Sequence, residues 1–266
     1  MYISRCISIG AGMADTAPAL TVNRLCGSGL QAIVSAAQLI MLGDANAVLA
    51  GGSEVMSRGG YLVPAMRWGA RLGHGEMTDM MLCALHDPFG IGHMGITAEN
   101  VAKDYNINRE AMDAFALASQ QRAVAAIEAG YFAEQITPID IVSRKQTISF
   151  QVDEHVRSST TLDTLQGLRP AFDKEGMVTA GNSSGINDGA SAVTLGTVAM
   201  AEKSGKPPLA KSSAMVLAVC RPASWVWVRF RHPRWRLNVP VLLQTILILL
   251  KAMKRLRRKP VLSHKN

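Results

Sequence analysis

The stretch Ala19-Leu20-Thr21-Val22-Asn23-Arg24-Leu25-Cys26-Gly27-Ser28-Gly29-Leu30-Gln31-Ala32 decides the reading of this chain. A β-like run, Ala19 to Asn23, ends at a thiol. Two glycines follow, and then apolar residues recur at helical period: Leu30, Ile33, Ala36, Ala37, Leu39 and Ile40. This order puts the Cys26 sulfur at a strand-to-helix turn facing a helix N-terminus, where unpaired N–H groups stabilise an anion. A thiolate so placed has a lowered pKa and is a competent nucleophile. Gly27 and Gly29 would let the backbone approach an acyl group and leave N–H groups free for an oxyanion. Against this stands the plain reading of a lone cysteine as a small apolar core residue.

Further segments decide between the two. Asn23-Arg24-Leu25-Cys26-Gly27-Ser28-Gly29-Leu30 resembles the nucleophile motif of the thiolases, the acetyl-CoA acetyltransferases and β-ketothiolases. Ala50-Gly51-Gly52-Ser53-Glu54-Val55-Met56-Ser57 and Gly92-His93-Met94-Gly95-Ile96-Thr97-Ala98-Glu99-Asn100 resemble two more of that family's segments. Arg169-Pro170-Ala171-Phe172 and the run from Thr179 to Ala190 resemble a further two, all in family order. The resemblance covers roughly Met1 to Lys211.

The resemblance implies an α/β fold, the layered αβαβα thiolase arrangement, here incomplete. It implies an acyl-CoA C-acyltransferase in which Cys26 takes the acyl group of a β-ketoacyl-CoA as a thioester. Coenzyme A or acetyl-CoA enters as substrate, with no bound cofactor beyond the acyl-thioester and no metal. His93 and Met94 would lie near the acyl and pantetheine end of the ligand, with Leu85 and Phe172 lining the same channel. Arg157 would lie near the nucleotide end, and Ser184 in a pantetheine-contacting turn. The ordinary alternatives are a hydrogen-bonding histidine, core packing for Leu85 and Phe172, a solvated arginine, and a turn serine serving geometry alone. Val156 departs from the proline common beside the arginine. The family's remaining acid/base groups, a His, a second Cys and an Asn near the C-terminus, have no in-frame equivalent here. A half-reaction enzyme, or a CoA-binding or subunit-binding remnant, is therefore expected. Intact relatives are expected to be homo-oligomers, dimers or tetramers.

Four cysteines (Cys6, Cys26, Cys83, Cys220) show no paired or metal-ligand spacing, which suits a reducing cytoplasm. No targeting peptide is read at Met1. The formal charge of +8 is uneven. Residues 212–266 hold 12 Lys and Arg and no acidic residue, while the rest holds 16 basic against 20 acidic residues. Trp225, Trp227 and Trp235 also fall in that tail. Nucleic-acid or membrane binding would suit such a tail, but the apolar run Val239 to Leu250 is too short to span a bilayer.

A shifted reading frame explains it better. Lys211-Ser212-Ser213-Ala214-Met215 can be written AAA TCG TCA GCT ATG; restoring one A gives codons for Lys-Ile-Val-Ser-Tyr, a thiolase-like continuation. Carried forward, the shift yields Met-Gly-Leu-Gly-Pro-Val-Pro-Ala and then Asn-Glu-Ala-Phe-Ala-Ala-Gln-Ala, which resemble later family segments in order. The tail's charge and tryptophans are then by-products of frame, with no nucleic-acid or membrane partner, and the tail should be disordered or aggregation-prone. Cys220 and His232 drop out as candidates.

The expected organisation is a piece of the N-terminal core (1–57), a loop domain covering CoA (58–177), a return to the core (178–211) and the out-of-frame tail (212–266). The first strand and helix of the family's fold are expected to precede the equivalent of Met1. Local signals predict an opening helix, a strand at Ala19–Asn23, a helix at Ser28–Leu42 and a strand at Ala47–Ala50. Helices at Thr97–Tyr105 and Arg109–Ala129 follow, the latter capped by Asn108 and Gly130. Strands are expected at Ile136–Val142, Gln146–Val152 and Ala192–Leu195. Sequencing the DNA across the Lys211 codon should show an A-run one base shorter than in close relatives.

Overall fold

The structure, a computed structural model, describes residues 2–210. The readings of 212–266 as a tail lie outside the described residues. Helix α1 (Ile3–Gly10) opens the chain. Its Arg5 guanidinium donates to the Ala17 and Asp15 carbonyls at 2.8 and 2.9 Å, folding the following turn back onto the helix. Helix α2 (Ser28–Leu42) then forms over its predicted span. Gly43, at φ +81°, ends it: the Gly43 and Asp44 N–H groups return to Ile40 O and Leu39 O at 3.1 and 3.0 Å. This closure satisfies carbonyls that the last turn leaves open and needs a left-handed residue, which glycine supplies without cost.

Strand β1 (Ala47–Val55) follows, longer than predicted, and pairs antiparallel along its whole length with β8 (Asp188–Gly196). The register runs from Ala47 opposite Gly196 to Val55 opposite Asp188. Helix α2 packs on both strands, burying Ala36 and Ala50. At the far end Ser57 donates its N–H (2.9 Å) and its hydroxyl to the Asp188 carboxylate. The hydroxyl bond foremost, then the N–H, holds Asp188 below the usual carboxylate range. After β8, Thr197 caps the short helix α7 (Val198–Ser204).

Everything between β1 and β8 is an excursion from that pair. A short hairpin joins β2 (Tyr61–Leu62) to β3 (Thr78–Asp79), and Asp79 caps α3 (Met80–Ala84). A second hairpin joins β4 (His86–Asp87) to β5 (Gly92–His93) and runs into α4 (Met94–Asp104). Helix α4 starts three residues before the predicted Thr97 because the His93 side chain, not a Ser, Thr, Asp or Asn, supplies the cap. Helix α5 (Arg109–Glu128) has Asn108 as its cap, accepting from the Ala111 N–H at 3.0 Å. Gly130, at φ +72°, closes its C-terminus. Strands β6 (Ile139–Val142) and β7 (Thr147–Phe150) form a third hairpin, each shorter than predicted. Helix α6 (Leu162–Gln166) carries a Thr161–Thr164 capping box.

Ala19–Asn23 is not a strand. Backbone donors and acceptors become a strand only when a neighbour pairs with them; β1 and β8 pair with each other, and this segment belongs to no sheet. Leu20 is accordingly exposed.

The excursion is held by a buried polar hub more than by an apolar core. Asp113, 0% exposed, receives the Arg109 Nε–H at 2.7 Å and the Asn182 Nδ2–H at 3.0 Å. Arg109 also donates to the Leu165 carbonyl in the last turn of α6 at 2.6 Å and to the Leu168 carbonyl just past it at 3.1 Å. Asn182 donates to Met177 O and accepts from the Thr179 N–H at 2.7 Å. One carboxylate thereby ties α5, α6 and the 177–182 turn together; Ala102, Leu165 and Val178 are the buried apolar residues of the excursion among those described. Removing one partner of a buried ion pair leaves the other uncompensated, at about 3–5 kcal/mol. Asp113→Ala should lower the unfolding free energy by about that amount, read by urea titration, and the double change Asp113→Ala with Arg109→Ala should cost less than the sum of the two single changes because they share one ion pair.

Candidate active site

Cys26 sits at a strained elbow. Leu25, just before it, has φ +47°, a left-handed conformation that non-glycine residues seldom adopt and that costs roughly 1–2 kcal/mol. Local bonds hold it. Asn23 Oδ1 accepts the Leu25 N–H at 2.9 Å; Ser28 Oγ accepts the Arg24 N–H at 2.8 Å and its hydroxyl donates to Leu25 O at 2.6 Å. The elbow turns Cys26 outward as an exposed, free thiol immediately before the α2 cap residue Gly27. The expected oxyanion donors need one correction. The Gly27 N–H is spent on Arg24 O at 3.0 Å, because the turn through Leu25 closes on itself.

Four of the other candidates come together. His93 Nδ1 accepts the Gly95 N–H at 3.0 Å and caps α4, while its ring stacks on Phe172 with centroids 4.7 Å apart and planes at 17°. Met94 follows directly, and its N–H donates to Leu85 O at 2.9 Å. Pairing of β4 with β5 sets His86 opposite His93, ring edge to face at 5.3 Å. Burial, and then the neighbouring His86, hold the His93 imidazole below its ordinary pKa of 6.5. His93 therefore favours the neutral ring, which accepts at Nδ1.

The remaining pair is joined differently. A side chain on Gly185 would meet the His155 ring at 2.4 Å, so the 153–157 loop lies against the turn that carries Ser184. Arg157 and Ser184 are both exposed. The Arg157 N–H donates to Gln120 Oε1 at 2.9 Å, and the residue borders a hollow of about 180 Å³ with Gln121, Glu128, Ser158 and Thr160. Among the described residues no hydrogen bond, ion pair or ring contact joins Cys26 to either group, and none is a cluster able to hold a metal ion.

His86 and Gln120 escaped the sequence reading, and His155, beside Arg157, and Asn182, inside the Thr179–Ala190 segment, were not singled out as candidates. Only register, or contact between distant loops, gives them a place at the site. Gly95 and Glu99 stand inside the quoted Gly92–Asn100 segment at helical spacing, which was a signal for a shared face.

The segment Leu25–Leu42 has a mean hydropathy of 1.6 over 18 residues, long and apolar enough by length and composition to cross a membrane. In the structure its helix lies on β1 and β8, with Leu30, Met41 and Leu42 exposed on other faces.

The family described as thiolase, N-terminal domain, matches residues 1–199. The chain is 57% identical over 212 residues to the β-ketothiolase BktB of Cupriavidus necator, covering 79% of this chain and 54% of that protein. It is 48% identical over 222 residues to an acetyl-CoA acetyltransferase of Pseudomonas aeruginosa, covering 83% of this chain and 56% of the relative. Human mitochondrial 3-ketoacyl-CoA thiolase superposes with a TM-score of 0.75 at 44% identity, over 78% of this chain and 53% of the other. The same human enzyme in complex with CoA gives a TM-score of 0.74 at 45% identity, over 78% and 52%. The chain thus spans about half the length of the curated relatives it matches. With this fold, a cysteine elbow at the start of α2 and a family match over most of its length, the chain belongs to the thiolase family.

Proposed function

We propose that this chain carries the acyl-accepting half of a thiolase-type acyl-CoA C-acyltransferase. The observation that carries the reading is the elbow: an exposed thiol, turned outward by a left-handed Leu25, at the mouth of a helix whose N-terminal dipole favours an anion. The Cys26 thiolate attacks the thioester carbonyl of acyl-CoA. A carbon–sulfur bond forms to Cys26, the bond to the CoA sulfur breaks, and CoA leaves as its thiolate. His93, Met94, Leu85 and Phe172 serve the acyl and pantetheine end; Ser184 contacts the pantetheine and Arg157 serves the nucleotide end of CoA. The His155–Gly185 contact supports the second assignment because it draws both loops to one side of α5. Pairing of β1 with β8 supports the reading of 58–177 as an inserted loop domain over the ligand. Cys6, Cys26 and Cys83, free among the described residues, suit a cytoplasmic enzyme. The apolar α2 faces suit burial within a larger thiolase, as a homo-oligomer, better than a membrane.

A second reading is favoured by the Arg157–Ser184 arrangement: a remnant that binds CoA without forming the thioester. One experiment separates the two. Intact-mass spectrometry after incubation with acetyl-CoA should show a single acetyl adduct that Cys26→Ser abolishes. Ser28→Ala, which removes two of the bonds that hold the elbow, should slow adduct formation about fivefold or more, since each lost hydrogen bond is worth about 1 kcal/mol. No adduct, together with a CoA-dependent rise in Tm, would establish the binding remnant. Saturating CoA at 100 times Kd adds about 2.7 kcal/mol. Neither adduct nor rise would end both readings.

His93 gives a pH prediction. Its folded pKa lies below the unfolded 6.5, so its contribution to stability is complete above pH 6.5. It is lost as pH falls, because the unfolded chain takes up the proton first. Tm should therefore decline below pH 6.5, and His93→Asn, which still caps a helix but does not titrate, should flatten that part of the profile.

A further inference from the structure

We propose that Gly95 and Glu99, one turn apart on the same face of α4, are positioning residues that seat Phe172 against His93 and so fix the wall of the acyl and pantetheine passage. The inference rests on the reading of that cluster as the passage. The fit is reciprocal. A side chain on Gly95 would meet the Phe172 ring at 2.1 Å, so the helix gives up its Cβ where the ring enters. A side chain on Gly176 would meet Glu99 Oε1 at 2.3 Å, so the facing loop gives up its own where the carboxylate enters.

The Glu99 carboxylate then takes three backbone bonds. The Met177 N–H reaches Oε1 at 2.8 Å and Oε2 at 3.0 Å, and the Val178 N–H reaches Oε1 at 2.7 Å. Such charge-assisted bonds are the stronger kind. Val178 O in turn accepts the Ala171 N–H at 2.9 Å, next to Phe172. Force passes from Glu99 through Val178 and Ala171 to the ring, and from the ring to the imidazole that caps the same helix through Gly95. The groups facing His93 are then the Phe172 ring, the His86 ring and the Gly95 N–H.

The test uses the full chain with ¹³C-labelled histidine, His93 being assigned by His93→Asn. In the wild type the Phe172 face should shift the His93 ring protons upfield. Phe172→Leu should remove that shift. Gly95→Ala and Glu99→Ala should remove most of it and raise the His93 titration midpoint, while Glu99→Gln, which still accepts from the loop, should retain it. CoA affinity by calorimetry should fall about tenfold in Glu99→Ala and much less in Glu99→Gln, tenfold being 1.4 kcal/mol. If Glu99→Ala fails to fold, Gly95→Ala decides alone, since alanine favours the helix. Unchanged His93 resonances in Gly95→Ala, where Phe172→Leu moves them, would overturn the proposal. A wild-type chain that shows the stacked resonance yet takes up no CoA would uphold the seat and overturn only the functional reading.

Discussion

The pairing of β1 with β8 is the constraint on which the rest of the described chain depends. It joins residues 47–55 to residues 188–196 and gives α2 a surface to lie on. The long excursion it closes is less costly than its length suggests, because loop entropy grows only as the logarithm of length, about 0.6 kcal/mol per doubling. A two-stranded ladder alone is marginal in water, and the helix packed across it supplies the apolar contact that such a ladder needs. The elbow at Cys26 inherits its place from this arrangement, since α2 fixes where the turn before it points.

Inside the excursion, polar contacts do what a small apolar core cannot. The buried apolar residues there are few, and the large ones (Trp68, Phe89, Phe115) are exposed. Asp113 and Glu99 instead gather backbone and side-chain donors from loops distant in sequence. Each is directional, so each fixes an orientation as well as a contact, which a ligand channel requires and a greasy contact alone does not provide. The same economy makes the excursion sensitive: a lost partner leaves a desolvated charge.

Two groups of candidate residues emerge, one on the β4–β5 hairpin and α4, the other where the 153–157 loop meets the Ser184 turn. The imidazole of His93 has two structural duties at once. It caps a helix, which requires the neutral ring, and it stacks on Phe172, which partly shields it. A residue with that dual duty links the state of the site to the integrity of α4.

The sequence by itself determined the longest helices and the family. Helical period with Gly43 and Gly130 as stops marked α2 and α5, because those signals are written within a few residues. It also named Cys26, His93, Met94, Phe172, Arg157 and Ser184, because their segments resemble family motifs. Tertiary structure decided what local signals do not encode. Ala19–Asn23 has strand composition but no partner, and pairing is a property of two segments. His86 faces His93 only through hairpin register. Glu99 and Gly95 matter only because a loop far along the chain presents Gly176 and Phe172 to them. Leu25 carries no sequence sign of its left-handed backbone; the bonds from Asn23 and Ser28 impose it, and that imposed turn puts the sulfur at the surface.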